Sequence, residues 1–304
     1  MYDLIIIGSG PAGLSAAVYG KRAGFNILVM EKESMSGGQI LNTHEVDNYL
    51  GMPGMNGFDM GMEFHRHAKE MGAVFKNVSV TGIERTDRNS FVITTDEGTE
   101  ETNSVIIATG AIHALLNVTG EERLTGRGVS YCATCDGAFF RNKTVAVVGG
   151  GDVAAEDAIF LSRICTKVYL IHRRDSLRAA KSLQNQLFEA SNVEVVWNSV
   201  VEEICGEEQV EELKIYSQKD DRHYTMAVDG IFIAVGLRPN TGLVRDIVAC
   251  DEGGYIIAGE DCVTKTPGIF AAGDVRTKML RQIVTAAADG ANAVASAELY
   301  MLQN

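Results

Sequence analysis

Two stretches of the chain repeat one pattern of apolar and polar positions. In each stretch, a short all-apolar run is followed by a group of glycines, an amphipathic segment and a second apolar run. The apolar runs lie at residues 4–7 and 27–30 in the first copy, and at residues 144–148 and 167–171 in the second. All-apolar runs are typical of buried parallel strands, and the amphipathic segments indicate helices that connect them. The chain is therefore predicted to contain two βαβ units.

Other segments extend each copy into an α/β domain. Residues 105–110 and 231–236 are similar apolar runs that end in glycine, so each copy gains a further buried strand. Periodicity predicts the remaining elements: strands at 78–85, 91–95, 194–197 and 210–216, the last two in an antiparallel layer, a strand at 268–274, and helices at 57–72 and 286–302. We expect a first domain of residues 1–112 and 241–304, interrupted by a second domain of residues 113–240.

The glycines after the first apolar run have the spacing of a dinucleotide-binding loop. Gly8, Gly10 and Gly13 follow the strand at GxGxxG spacing and open the helix. In this motif the glycines allow a tight turn, close approach to a pyrophosphate, and close packing of helix on strand. Glu31 ends the next strand, at the position where a carboxylate binds ribose hydroxyls. The first domain is therefore predicted to bind FAD or NAD, whose adenosine carries no 2′-phosphate.

The second glycine loop differs from the first at the position that selects the ligand. Residues 149–154 have the form GxGxxA, and His172 stands where the first copy has Glu31. Arg173 and Arg174 follow directly, with Arg178 shortly after. Guanidinium groups bind phosphate bidentately, whereas a carboxylate would repel it. The alternative is a basic helix start on the surface, but in so acidic a chain this pattern favours NADPH. The predicted fold is thus α/β with two Rossmann-like dinucleotide-binding domains, the second inserted into the first.

Composition and charge restrict the function classes. The chain has 304 residues, 46% of them hydrophobic, which is ordinary for a globular protein of about two domains. A formal charge of −13 makes broad binding to nucleic acid or to anionic membranes unfavourable. Residues 4–7 lack a basic flank and are too short for a signal peptide or a membrane span. We therefore expect a cytoplasmic protein that binds neither nucleic acid nor membrane.

Residues 132–136 form the candidate catalytic centre. Cys132 and Cys135 are separated by two residues, so both sulfurs can close one small ring, and Asp136 follows directly. A thiolate there has a resolving partner, as redox exchange requires. The alternatives are a pair of buried thiols and half of a zinc site, although the further ligands that zinc needs are missing and no metal site is predicted. Asp136 is interpreted as an acid and base for the thiols, because it adjoins the redox pair. The alternative role, a helix cap, can coexist with this one.

Taken in order, these motifs resemble those of the low-molecular-weight, bacterial-type thioredoxin reductases along essentially the whole chain. The matching segments are residues 8–13, 37–39, 132–136, 149–154, 172–178, 273–274 and 281–282. The resemblance implies a homodimeric flavoprotein with FAD in the discontinuous domain and NADPH in the inserted one. It also implies that electrons pass from NADPH through FAD to the Cys132–Cys135 disulfide. Cys135 would then meet the flavin, and Cys132 would attack the disulfide of thioredoxin or a thioredoxin-like protein.

The glycine loops and the resemblance together predict two sets of cofactor-binding residues. The FAD set is Gly8, Gly10, Pro11, Ala12, Gly13, Glu31, Lys32, Gly38, Gln39, Asn48, Val80, Ala108, Thr109, Gly110, Gly273, Asp274, Arg281, Gln282 and Ile283. The NADPH set is Gly150, Gly151, Asp152, Val153, His172, Arg173, Arg174, Arg178 and Gly236. Asp152 and Val153 depart from the family, which usually has Asn and then Ser or Thr there. An acid beside a pyrophosphate is unfavourable.

Two aromatic residues after the cysteine pair are predicted to dock the protein substrate. Phe139 and Phe140 precede the basic stretch 141–143, and Arg127 is placed at the rim of this aromatic patch. Such a patch would anchor and orient an acidic thioredoxin. The alternative for either phenylalanine is core packing.

Other functions remain open from the sequence. An NADPH oxidase would pass electrons directly from flavin to oxygen and would need no CxxC. A nucleotide-sensing module would bind without catalysis. Related ferredoxin-driven enzymes lack the basic motif at residues 172–178, which this chain has, and peroxiredoxin reductase flavoproteins carry added N-terminal domains.

Overall fold

The computed structural model describes the chain except for residues 44, 45, 47, 88 and 304. Its strands are β1 (Tyr2–Ile7), β2 (Ile27–Glu31), β3 (Val74–Asn77), β4 (Val80–Arg85), β5 (Phe91–Thr95), β6 (Gly98–Ile107), β7 (Ala111–His113), β8 (Val129–Ser130), β9 (Thr144–Gly149), β10 (Lys167–Ile171), β11 (Val193–Val196), β12 (Ser199–Cys205), β13 (Glu212–Ser217), β14 (Arg222–Ala227), β15 (Gly230–Ala234), β16 (Leu237–Pro239) and β17 (Ile269–Ala271). Its helices are α1 (Pro11–Arg22), α2 (Gly57–Glu70), α3 (Glu121–Leu124), α4 (Ala133–Asp136), α5 (Asp152–Ser162), α6 (Lys181–Glu189) and α7 (Ile283–Gln303).

The chain divides into two compact units. The first comprises Met1–Ile112 and Arg238–Asn304, and the second comprises His113–Leu237. The return to the first unit comes three residues earlier than the boundary expected from the sequence. Asn240 explains this position, because its backbone N–H donates to Gly110 O and its side-chain amide donates to Thr109 O, both at 2.9 Å.

The first unit is built on one mixed sheet. Strands β3, β2, β1 and β6 run in parallel in that order, β17 also pairs with β6, and β5 and β4 continue the sheet in antiparallel fashion. Leu4 and Ile6 of β1 face a core shared with α1 and α7, whereas Ile5 and Ile7 face a second core. The all-apolar run is thus buried on both faces, as a central parallel strand requires.

The second unit repeats this plan. Its sheet has the order β11-β10-β9-β15-β8, with every neighbouring pair parallel. Val145 and Val147 of β9 face one core, and Ala146 and Val148 face the other. A separate antiparallel sheet contains β12, β13 and β14. The predicted α/β class with two Rossmann-like units is confirmed. Among the described residues, no helix is both long enough and apolar enough to cross a membrane.

One strand prediction was wrong. Residues 194–197 were assigned to an antiparallel layer, but β11 pairs in parallel with β10, with Val168 opposite Val193. The reason is α6, which connects β10 to β11 as a crossover helix, and crossovers join parallel strands. This helix was not predicted, since Leu187 is its only fully buried residue.

Candidate active site and nucleotide-binding sites

The cysteine pair follows the edge strand of the second parallel sheet. β8 pairs with β15, and α4 begins directly after it with Cys132 at its N-cap. Cys132 and Cys135 form a disulfide with their Cα atoms 5.3 Å apart. The backbone N–H groups of Cys135 and Asp136 both donate to Cys132 O, at 3.2 and 3.1 Å. One helical turn therefore brings the two sulfurs and the acid into one small region.

Ser130 connects the first cysteine to the neighbouring acid. Its Oγ donates to Asp136 Oδ2 at 2.6 Å and accepts from the backbone N–H of Cys132 at 3.1 Å. Ser130 is only 4% exposed, so water competes little for these bonds. Asp136 makes no side-chain capping bond to the short 3-10 turn that follows it. The geometry favours a proton carrier over a cap. The sequence gives no signal for Ser130, because a serine before a CxxC is unremarkable by itself.

The residue directly before the pair is also held in place. The Tyr131 hydroxyl donates to Glu121 Oε1 at 2.9 Å, and its ring stacks on His113 with centroids 5.2 Å apart. Burial raises the pKa of Tyr131 to about 12, and the hydrogen bond to Glu121 adds to this shift. Glu121 also accepts the backbone N–H groups of Leu116 and Asn117, at 3.0 and 2.7 Å. This network anchors the segment that leads into the cysteines.

The two phenylalanines after the pair have different environments. Phe140 is 7% exposed, and its ring lies 5.1 Å from that of Phe232. A Cβ on Gly230 would lie 2.2 Å from the Phe140 ring, so the two segments are in close contact. The docking role predicted for Phe140 is therefore wrong, and this side chain belongs to the core. Phe139 is 38% exposed and Arg127 is exposed, so both remain candidates for docking.

Backbone segments of the first unit meet at the carboxyl ends of its parallel strands. A Cβ added to Gly8 would lie 2.4 Å from Ala108 O, and one added to Gly13 would lie 1.9 Å from Gly8 O. A Cβ on Gly38 would lie 3.2 Å from Gly10 Cα. The first glycine loop thus lies directly against two other segments that were predicted to contact FAD. This is the crevice in which Rossmann folds bind a dinucleotide.

Glu31 ends β2 with its carboxylate fixed at the rim of this crevice. Its Oε2 accepts from the backbone N–H and hydroxyl of Ser9, at 2.8 and 2.7 Å, and its Oε1 accepts from Glu33 N at 3.0 Å. A carboxylate offers about four acceptor positions, so capacity remains for a ribose hydroxyl. Elsewhere, Asn48 Nδ2 donates to Gln282 Oε1 at 3.0 Å. This bond joins two predicted FAD residues that are far apart in sequence.

Asp274 offers a buried acceptor to a ligand. Its Oδ1 is buried and has no hydrogen-bond partner among the residues that the structure describes. Burial raises the pKa of Asp274, while the charges of Lys278 and Arg281 act against the increase. The Arg281 guanidinium lies 4.1 Å from the centroid of the Tyr255 ring. A hydroxyl-bearing ligand such as the ribityl chain of a flavin fits this acceptor. Tyr255 was not predicted from the sequence.

A buried ionic cluster holds the loop that carries Gly273 and Asp274. Asp289 accepts from the backbone N–H of Gly273 at 2.9 Å, from Arg276 at 2.8 and 2.6 Å, and from Lys278 at 2.8 Å. Burial alone would raise the pKa of Asp289, but the hydrogen bonds from Arg276 and Lys278 hold it below its usual value. The sequence did not reveal this cluster, because Asp289 lies 16 residues after Gly273, on α7.

In the second unit, the glycine loop rests on His172. His172 is only 6% exposed, and a Cβ added to Gly150 would lie 2.1 Å from Cε1 of the His172 ring. His172 Nε2 lies 3.1 Å from Ser176 O and donates to it in the tautomer that carries the ring proton on Nε2. Burial lowers the pKa of His172, and the charges of Arg174 and Arg178 lower it further. A neutral ring thus supports the loop from below.

Three predicted arginines are exposed close to this loop. Arg173, Arg174 and Arg178 all face solvent, and within the described residues their side chains have no ion pair or hydrogen bond. Unpaired guanidinium groups in a chain of net charge −13 fit a phosphate ligand. Asp152 begins α5, and its Oδ1 accepts from the backbone N–H of Ala180 at 2.7 Å.

The other predicted residues are distributed over the two units. In the first unit they are Pro11 and Ala12 in the first turn of α1, Lys32 after β2, Gln39 in a 3-10 turn, Val80 at the start of β4, Thr109 and Gly110 after β6, and Ile283 at the start of α7. In the second unit they are Gly151 before α5, exposed Val153 within it, and Gly236 after β15. Lys32 pairs with Glu33 at 3.4 Å, and Val80 packs against a core.

Two dinucleotide-type crevices and a cysteine pair define a class of protein: a nucleotide-dependent disulfide oxidoreductase. Residues 2–290 match the pyridine nucleotide-disulphide oxidoreductase family, and the chain belongs to this family. A thioredoxin reductase from Listeria innocua is 46% identical, covering 99% of this chain and 94% of its own length. The structure of thioredoxin reductase from Streptococcus pyogenes superposes with a TM-score of 0.93 at 43% identity, covering 100% and 99% of the two chains. The resemblance drawn from the motifs is confirmed.

A more distant structure extends the comparison. Thioredoxin reductase from Giardia duodenalis has a TM-score of 0.90 at 34% identity, covering 99% of each chain. The similarity therefore includes the whole chain and both units.

Proposed function

We propose that the chain is an FAD-dependent NADPH:thioredoxin-disulfide reductase. The observation that carries the proposal is the Cys132–Cys135 disulfide, which lies with Asp136 in the same unit as the second glycine loop. Relatives named thioredoxin reductase support it at 46% identity over nearly the whole chain. In the net reaction, NADPH and one proton reduce one disulfide of thioredoxin to two thiols, and NADP⁺ is released.

FAD fits the residues of the first unit. The amides at the start of α1 and the open face of Gly10 would hold the pyrophosphate, and Glu31 would hold the adenosine ribose. The unpartnered Asp274 Oδ1 would accept from a ribityl hydroxyl. When bound, FAD supplies two-electron transfer between a nicotinamide and a disulfide.

NADPH fits the residues of the second unit. The amides at the start of α5 would hold its pyrophosphate, and the exposed guanidinium groups of Arg173, Arg174 and Arg178 would surround the 2′-phosphate. This assignment makes the second unit the site of coenzyme selection.

The cysteines and Asp136 would carry out the exchange with the protein substrate. The Cys132 thiolate attacks a substrate sulfur, so a mixed disulfide forms and one substrate thiolate leaves. Cys135 then attacks Cys132 Sγ, which restores the Cys132–Cys135 bond and releases the second substrate thiolate. Asp136, oriented by Ser130, donates and accepts the protons of these thiols. Thr134 Oγ1 lies 3.5 Å from Cys132 Sγ and can donate to the thiolate.

An anaerobic NADPH titration followed by absorbance tests the proposal. The purified FAD-loaded chain should take up two equivalents, one for the flavin and one for the disulfide. The variant with Cys132→Ser and Cys135→Ser should take up one equivalent and lose thioredoxin reduction. If that variant retained its physiological turnover, an oxidase that passes electrons to oxygen would replace the proposal. A chain that failed to take up FAD would instead support a nucleotide sensor.

We also propose a cytoplasmic homodimer, on the basis of the family resemblance and of a disulfide that must cycle between oxidised and reduced forms. Light scattering of the FAD-loaded chain should give twice the mass of one chain. A mass of one chain at micromolar concentration would contradict the dimer.

A further inference from the structure

Two hydrogen bonds join the second glycine loop to the segment that carries the arginines. We call residues 173–180 the basic loop. The backbone N–H of Arg178 donates to Gly150 O at 2.7 Å, and that of Ala180 donates to Asp152 Oδ1, also at 2.7 Å. The second of these bonds is made by a side chain, so it depends on the residue at position 152.

The basic loop is a fixed part of the unit. Leu177 and Ala179 are buried in the core, and Arg178 between them points to solvent. Ser176 O is bonded to His172, as described above. The position of the Arg178 guanidinium therefore follows from anchors on both sides of it, and Asp152 provides the anchor on the α6 side.

Asp152 also introduces a charge where a dinucleotide is expected. It occupies the first turn of α5, and the amino end of this helix would receive the pyrophosphate. A carboxylate there repels the pyrophosphate of any dinucleotide, with or without a 2′-phosphate. The two effects of Asp152 therefore act on different parts of the coenzyme.

We propose that Asp152 is a specificity-determining positioning residue for the coenzyme. Its charge weakens the binding of NADPH and NADH alike, whereas its hydrogen bond to Ala180 places Arg178 for the 2′-phosphate that only NADPH has. This inference rests on the proposed NADPH site in the second unit.

Asp152→Asn separates the two effects, because asparagine keeps an acceptor for the Ala180 N–H and removes the charge. We expect NADP⁺ and NAD⁺ each to bind about three- to tenfold more tightly at low salt, with their affinity ratio unchanged. The gain should shrink at about 0.5 M salt, because ions screen exposed charges. Isothermal titration calorimetry of the oxidised FAD-loaded chain measures both affinities without turnover. Unchanged affinities at low salt would overturn the repulsion.

Asp152→Ala removes the charge and the acceptor together. Relative to Asp152→Asn, we expect the NADP⁺/NAD⁺ affinity ratio to fall about fivefold or more, because Arg178 loses its anchor. An unchanged ratio would overturn the positioning role. Fluorescence of Trp197, the only tryptophan in the chain, gives a second readout of coenzyme binding. The ring centroid of Trp197 lies 6.4 Å from that of His172, which supports the second glycine loop.

Glu189→Gln is the matched control. It removes one exposed carboxylate from the last turn of α6, about 13 Å along the helix from Ala180. Its affinities should equal those of the starting protein, and a gain equal to that of Asp152→Asn would show that net charge alone is responsible. Failure of the proposed function looks different: the unaltered chain would then bind NADP⁺ no better than NAD⁺.

Discussion

The two nucleotide-binding units share one backbone plan and differ in the side chain that ends the second strand. In the first unit this residue is Glu31, whose carboxylate is held at the rim by Ser9. In the second it is His172, which is buried beneath Gly150 while the following arginines remain exposed. One geometry thus presents a carboxylate in one copy and guanidinium groups in the other, so ligand selection can change without a change of fold.

The units also differ in how their outer loops are held. The loop of Gly273 depends on the buried charges of Asp289, Arg276 and Lys278. The basic loop of the second unit depends on hydrogen bonds to backbone groups and to Asp152. Removing the partner of a buried charge is strongly destabilising, and the contribution of buried charges to stability changes with pH. The first unit should therefore be the more sensitive of the two to acid and to removal of a charge.

Asp289→Asn should produce the largest effect, because it leaves two buried cations without their counterion. We expect the first unit to lose about 3–5 kcal/mol of stability, measured by urea unfolding, and FAD to bind more weakly. The exposed Asp246→Asn, in the same unit, should change stability by less than about 0.5 kcal/mol. Equal stabilities of the two variants would show that the cluster does not support the loop.

The same cluster predicts a pH dependence. The pKa of Asp289 is held below its usual value in the folded chain, so its stabilisation is complete above the unfolded-state pKa of about 4. It is lost as the pH falls from there through the folded-state pKa. Unfolding free energies between pH 6 and pH 3 should therefore fall less steeply for Asp289→Asn than for the starting protein.

Arg174→Ala tests the second unit, where exposed guanidinium groups replace the carboxylate of the first unit. A lost charge-assisted hydrogen bond costs about 1.5–3 kcal/mol, so NADP⁺ should bind about tenfold more weakly or worse, while NAD⁺ changes little. Arg163→Ala, at the far end of α5, is the control for loss of one exposed positive charge. Equal losses for both coenzymes at Arg174 would place its contact outside the 2′-phosphate.

Local patterns made most of the fold predictable. An all-apolar run followed by glycines reports a buried strand and a tight turn, because few other residues fit that backbone, as Gly8 and Gly13 show. Side-chain environments set by distant segments were not predictable in this way. Phe140 is buried because Gly230 and Phe232 pack on it from about ninety residues away, and nothing near Phe140 in sequence indicates this. Asp289 was missed for a similar reason, because its partners lie on another segment. Ser130 was missed although its partners are local, because a serine before a CxxC is unremarkable by itself.

Ser130→Ala tests whether the hydrogen bond from Ser130 positions Asp136, the proposed proton carrier of the second unit. Asp136 would lose the donor at 2.6 Å, and we expect kcat for thioredoxin reduction to fall about tenfold with little change in KM. Reduction of the flavin by NADPH, followed in a stopped-flow instrument, should keep its rate. Ser130→Thr retains the hydroxyl and should restore most of the activity. A loss that Thr does not restore would indicate a packing role instead.

Phe139→Ala should have the smallest effect. It tests the predicted docking site for thioredoxin, which has no counterpart in the first unit. Phe139 is 38% exposed and follows the cysteine pair in the chain, whereas Phe140 is part of the core, so truncation of Phe139 should disturb the core less. Loss of one docking aromatic costs about 1 kcal/mol, so the KM for thioredoxin should rise about fivefold. Reduction of a small disulfide such as DTNB should continue at its normal rate, because it needs only the thiols. A parallel loss with both substrates would mean that Phe139 supports the cysteine pair and does not dock thioredoxin.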